Sequence, residues 1–243
     1  MSCSRLLIPL YLLSISLLFQ LGLAIDLDSY SIYCSQSSFL AGGPYNKNLN
    51  NLVRYLDSKT PLTGFGSGSQ GLGQNRTYGL ALCRGDINSR DCKACVDQAS
   101  NEIQKVCKLK KEAIAWYDVC MLKYSNLSFL GKIDNKNWYF EESTNFWSNP
   151  GYFNKEVIQI LSTLQKEAYV SPKMYAAGAL EIGNSTTLYG LVQCTRDLSS
   201  ANCNICLEEA IGAVTPYFHG SVGGKIWGGS CNVRYEIYPF FNA

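Results

Sequence analysis

Eleven cysteines, one histidine and a few adjacent carboxylates are the residues of this 243-residue chain that could carry chemistry. Cys92-x-x-Cys95 and Cys203-x-x-Cys206 have the spacing of a zinc half-site or of a redox pair. Structural zinc needs two such pairs in one place or histidine partners, and His219 is the only histidine. A redox pair needs a partly exposed, poised thiolate near a helix start, whereas Cys95 and Cys206 fall on the apolar stripe of a helical pattern. A nucleophile working with a histidine base would have to use His219, whose neighbours Phe218 and Gly220 form no catalytic signature. Glu141-Glu142 and Glu208-Glu209 are adjacent, so their side chains diverge and read as solvated surface. A glycosidase needs two carboxylates facing each other across a cleft. The expectation is a protein that is not an enzyme, with no metal and no cofactor, whose cysteines serve disulfide chemistry.

The compartment agrees with that use. Arg5 precedes an uncharged, largely apolar run from Leu6 to Leu23, and Gly22 and Ala24 suit a signal peptidase, so residues 1–24 are expected to be a signal peptide. Its removal takes Cys3 and leaves ten cysteines, an even number that allows full pairing. It also takes Arg5, leaving 20 basic against 19 acidic residues, too balanced for a nucleic-acid binder or a polybasic membrane patch. No second apolar stretch of comparable length follows, so no membrane span is expected in the mature chain. Three sequons, at Asn75, Asn126 and Asn184, are candidate glycosylation sites that fit an oxidising, extracellular setting.

The elements that would position these residues come from an internal repeat. A shift of 111 residues superimposes Tyr78-Gly79-Leu80 on Tyr189-Gly190-Leu191, Cys83 on Cys194, Cys92 on Cys203, Cys95 on Cys206, Trp116 on Trp227 and Cys120 on Cys231. Between Tyr78 and Tyr124 it gives twelve identities in 47 positions without a gap. Upstream, at a shift of 108, Leu49, Leu52, Val53 and Leu56 meet Val157, Ile160, Leu161 and Leu164. Their i, i+3, i+4, i+7 spacing predicts an amphipathic helix in each repeat. A second helix is expected from N-caps at Ser89 and Ser200, with Cys92, Cys95, Val96, Ala99 and Ile103 on its buried face. Each repeat is therefore predicted to be α+β, with helices over one face of an antiparallel sheet. The boundaries read as 28–131 and 137–243.

The repeats also constrain the disulfides. The second repeat lacks partners for Cys34 and Cys107 together, the latter being replaced by Phe218. Losing half a bridge would strand a thiol, so Cys34 and Cys107 are expected to pair. The other four cysteines of a repeat allow three connectivities, and Cys92 with Cys95 inside one helical turn fits disulfide geometry poorly. The favoured scheme joins Cys83 to Cys92 and Cys95 to Cys120, with Cys194 to Cys203 and Cys206 to Cys231 in the second repeat.

The Cys-x8-Cys-x2-Cys spacing after Tyr-Gly-Leu, with closing segments Cys120-Met-Leu-Lys-Tyr-Ser and Cys231-Asn-Val-Arg-Tyr-Glu, resembles the plant cysteine-rich repeat secretory proteins. The resemblance implies two tandem domains, each with two helices packed on a five-stranded antiparallel sheet, and the disulfide scheme just given. It implies a secreted, apoplastic binding protein in plant defence or stress signalling. The partner would be a cell-wall or fungal glycan, or a receptor ectodomain. The family's antifungal member binds mannose through an Asn after the first cysteine, an Arg seven residues past the fifth and a Glu five past the sixth. Those positions hold Ser35, Ile114 and Ser125 in the first repeat. In the second, two of them hold Lys225 and Glu236, the candidate ligand-binding residues, while Glu142 to Phe146 offer no secure match for the Asn.

The strand around Cys120 is expected to send Trp116, Cys120 and Leu122 towards the helices. Tyr117, Val119 and Met121 would then form an apolar stripe, covered by the second repeat or by Trp138, Tyr139 and Phe140.

Overall fold

The computed structural model describes residues 30–183 and 185–242. The expected signal peptide, residues 1–24, and Asn184 lie outside the described residues.

The first repeat runs β1 (Tyr30–Cys34), α1 (Pro44–Thr63), β2 (Phe65–Gln70), β3 (Thr77–Cys83), α2 (Ser89–Val106), β4 (Ala113–Tyr117) and β5 (Cys120–Ser125). The second runs β6 (Trp138–Glu142), α3 (Pro150–Ala168), β7 (Tyr175–Ile182), β8 (Thr186–Cys194), α4 (Ser200–Phe218), β9 (Gly224–Gly228) and β10 (Cys231–Glu236). Both sheets are antiparallel and five-stranded, ordered β1-β4-β5-β3-β2 and β6-β9-β10-β8-β7. The α+β fold with two helices on each sheet is thus the observed one.

The helices form where the apolar period places them. Leu49, Leu52, Val53 and Leu56 of α1 are buried against the sheet, as are Val157, Ile160, Leu161 and Leu164 of α3. The caps lie one residue before the predicted ones. The Asn88 side chain accepts from Asp91 N at 2.9 Å and Ser199 Oγ accepts from Asn202 N at 3.1 Å. A cap oxygen must reach the amide three residues on, so Ser89 and Ser200 are the first helical residues instead.

Five disulfides pin the helices to the sheets: Cys34–Cys107, Cys83–Cys92, Cys95–Cys120, Cys194–Cys203 and Cys206–Cys231. The two cysteines of each Cys-x-x-Cys thus bond to different strands. Where the first repeat has Cys34–Cys107, the second has Phe218, 2% exposed, with its ring edge-on to Phe140 and tilted against Tyr235.

The helix-free faces of the two sheets meet. Leu80, Leu82, Ile114, Trp116 and Met121 form one buried cluster with Trp227 of the second repeat. Trp116 Nε1 donates to Gly228 O at 3.0 Å across the contact. This corrects the expected stripe. Met121 does face the second repeat, but Tyr117 and Val119 belong to the helix-side core and Trp116 belongs to the inter-repeat cluster. The hairpin register pairs Trp116 with Met121, so these two share a face. Asp118 and Val119 form the turn, and alternation counted straight through it assigns Trp116 to the wrong side.

Equivalent positions cross the contact reciprocally, as in an isologous dimer. Lys123 Nζ donates to Gly229 O at 3.2 Å, and its equivalent Arg234 donates to Asp118, the counterpart of Gly229, at 3.4 Å. The Phe65 ring lies under Arg196, while its strand equivalent Tyr175 lies against Gly85, the counterpart of Arg196. A Cβ at Gly85 would collide with the Tyr175 ring, so this close approach requires glycine.

Lys123 is also paired with Asp134 at 2.6 Å, both nearly buried. Burial pushes the Asp134 carboxyl up, but the Lys123 charge and hydrogen bonds from Lys123, Asn137 and the Lys136 amide outweigh it and hold the pKa below the usual range. A folded-state pKa below the unfolded value makes the pair stabilising above pH 3.8, and that stability is lost as pH falls through the lower, folded value. Asp134→Asn is expected to cost about 3 kcal/mol near neutrality by leaving Lys123 without a counter-charge. Denaturant titrations should show the deficit shrinking as pH falls below 3.8 and through the lower, folded value, where the wild-type carboxyl takes up its proton.

Candidate functional site

β6 and β9 give the second repeat its candidate site. Glu142 pairs with Gly224 as Cys34 pairs with Ala113, and Ser143 N donates to Gly223 O as Ser35 N donates to Glu112 O. Ser143 is therefore the structural counterpart of Ser35, the position that sequence spacing could not assign. Lys225 on β9 and Glu236, the last residue of β10, converge with Ser143 on one open groove, which Glu141, Glu142 and Tyr238 also line. Glu236 Oε2 packs against Gly223, in the space a Cβ there would take.

The groove is tied to the first repeat by charge. Lys225 Nζ donates to Asp118 Oδ1 at 3.1 Å and to Glu141 Oε1 at 3.0 Å. Arg234 lies 4.1 Å from the Phe240 ring centroid and donates to Glu236 Oε1 at 3.1 Å, to Asp118 and to Tyr238 Oη at 3.3 Å. Burial raises the Glu236 carboxyl above its ordinary value, opposed by the charges of Arg234 and Lys225. The Tyr238 hydroxyl is likewise raised by burial and by Glu236. With two Lys225 donors already engaged, one is left for a ligand. The carboxylates and Tyr238 present acceptors and one hydroxyl at the rim, which suits a ligand rich in hydroxyl groups.

The structure brings Lys225 and Glu236 together, whereas the equivalent positions of the first repeat form no such site. Ile114 and Ser125 are buried in the sheet there. Sequence reasoning missed Asp118, Glu141, Ser143, Arg234 and Tyr238. Asp118 had no signal, because its counterpart is Gly229. Of the sequons, Asn75 is exposed at the end of a one-turn 3-10 helix and Asn126 is half-buried just past β5. His219 ends α4 in a left-handed conformation, with φ of 46°. Among the described residues, no group of His, Cys, Asp and Glu is placed to hold a metal ion, and no helix is long and apolar enough to cross a membrane.

The family described as salt stress response/antifungal matches twice, at residues 33–127 and 140–238. The chain belongs to this family. Among its similar members, an antimicrobial ginkbilobin-2-like protein of Castanea crenata is 49% identical over 214 residues, covering 88% of this chain and 89% of that one. Cysteine-rich repeat secretory protein 38 of Arabidopsis thaliana is 44% identical, covering 84% of this chain and 82% of that one. The fold of the family also appears in the tandem DUF26 ectodomain of the Arabidopsis thaliana cysteine-rich receptor-like protein PDLP8. That ectodomain has a TM-score of 0.73 and 23% identity, with 85% of this chain and 96% of that one covered. The chain is thus a tandem member of a secreted, cysteine-rich, antifungal-type family.

Proposed function

We propose that the protein is a non-catalytic binding protein of the plant apoplast that recognises a glycan of the cell wall or of a fungus through the groove of its second repeat. The observation that carries this reading is the convergence of Ser143, Lys225 and Glu236, from three separate segments, on one open polar groove beside Tyr238. Lys225 lacks the planar fork of an arginine and is already held by two carboxylates. Specificity therefore rests on acceptors, with Glu236 and Glu141 taking hydrogen bonds from sugar hydroxyls and Tyr238 offering a ring edge or face. This differs from a site that grips mannose with an arginine.

A glycan array probed with the secreted, disulfide-bonded protein tests the reading. Glu236→Ala is expected to weaken the strongest signal at least about tenfold, the loss of one hydrogen bond to a charged group. A thermal melt of the same variant would show whether the repeat stays folded. No glycan signal from the wild type, together with capture of a receptor ectodomain, would instead support protein recognition.

A further inference from the structure

A second groove, sharing no residue with the first, opens where the two repeats meet near the C-terminal end of α1. Its volume is about 770 Å³ including the mouth, and it holds Arg84, Lys173 and Arg196. Arg84 is matched by Asp86 in a two-point pair at 2.7 and 2.9 Å, and Asp86 also accepts from the Asn242 amide. That pair is neutral as a unit. Lys173 and Arg196 take part in none of the ion pairs among the described residues.

Each of these two cations crosses from the second repeat to a carbonyl of the first. Lys173 Nζ donates to Gly85 O at 2.8 Å, and Arg196 Nη2 donates to Thr63 O at 2.7 Å. A carbonyl dipole orients a cation but does not cancel its charge. Guanidinium has five N–H donors and ammonium three, so Lys173 Nζ and the two Arg196 Nη atoms keep donors beyond these carbonyl bonds. Arg196 Nε is buried and has no acceptor at all. The one influence moving the pKa of Arg196 is burial, which lowers it, and no carboxylate acts on the group. A contact that served only to join the repeats would leave the half-buried Arg196 charge without a counter-charge, which is costly, whereas Lys173 is exposed and adds a hydrated charge at the mouth.

We infer that this groove binds the carboxylate of an acidic saccharide, with Arg196 and Lys173 as its counter-charges. The guanidinium fork matches a carboxylate at two points. The groove is larger than a lone inorganic anion needs, and the hydroxyl of Ser89 at its edge can meet sugar hydroxyls. The site is independent of the Glu236 groove, so either assignment can fail alone.

Calorimetric titration of the intact protein with oligomers of α-1,4-linked galacturonic acid tests the inference, with the fully methyl-esterified oligomer and inorganic phosphate as companion probes. The acidic oligomer is expected to bind and the ester to bind at least about tenfold more weakly, because esterification removes the charge and leaves the sugar unchanged. Affinity should fall with added salt. The Lys173→Gln/Arg196→Gln variant should lose at least about tenfold towards the acid while keeping any neutral-glycan signal of the other groove. Lys173→Gln alone leaves the Arg196 contact with Thr63 in place and should give a smaller loss. Equal binding of acid and ester, unchanged affinity in both variants, or phosphate binding as tightly as the oligomer would overturn the assignment.

Discussion

Trp116→Ala is expected to destabilise the protein by about 3–5 kcal/mol, the range for emptying a large aromatic site in a close-packed interior. Trp116 is 4% exposed and packs between Leu80, Leu82, Ile114 and Met121 of its own sheet and Trp227 of the other. Its indole also donates across the contact to Gly228 O. The loss falls on the surface joining the repeats, not on either helix-side core. Calorimetry should therefore show one unfolding transition in the wild type and two in the variant, the mark of uncoupled units. Trp116→Phe keeps most of the packing and loses the N–H, so its cost should be nearer 1 kcal/mol. Val119→Asp should act differently. Val119 lies in the helix-side core with Cys120 and Leu122, so a charge there unfolds the first repeat instead of parting the pair. A single, merely shifted transition in Trp116→Ala would show that this contact does not couple the repeats.

Removing the Cys34–Cys107 bridge by a double alanine substitution should cost about 4 kcal/mol, because it closes the longest disulfide loop, with 73 residues of separation. The second repeat meets the same structural need by packing. Phe218 stands at the position of Cys107 and fills the space with Phe140 and Tyr235. Phe218→Ala should accordingly cost a similar amount, about 3–5 kcal/mol. Denaturant midpoints of the two variants, measured without reductant, check this equivalence. A negligible effect of the double alanine variant would mean that packing around β1 alone holds the first repeat.

The helices and the repeat were legible because burial imposes a period on the sequence: Leu49 to Leu56 and Val157 to Leu164 each show it. The joint absence of two cysteines from the second repeat pointed to the bridge between Cys34 and Cys107. The sheet faces were harder. A tight turn at Asp118 and Val119 restarts the alternation, and only the pairing of Trp116 with Met121 reveals the phase. The site was half legible. Lys225 and Glu236 are the positions to which the family resemblance points, Glu236 five residues past Cys231 and Lys225 in step with Ile114 at the 111-residue shift. Ser143 follows a strand that has lost its cysteine, and only the β6–β9 register identifies it. Asp118 enters the site from the other repeat, a long-range contact that no local pattern encodes.

The central claim, a glycan site at the end of the second sheet, is tested most directly by NMR chemical-shift mapping of a glycan found on the array. The prediction is that shifts concentrate on Ser143, Gly223, Lys225, Glu236 and Tyr238, leaving Ser35, Ile114 and Ser125 of the first repeat unmoved. Shifts confined to the first repeat or to the helix faces, with the Lys225 and Glu236 amides unchanged at saturation, would contradict it.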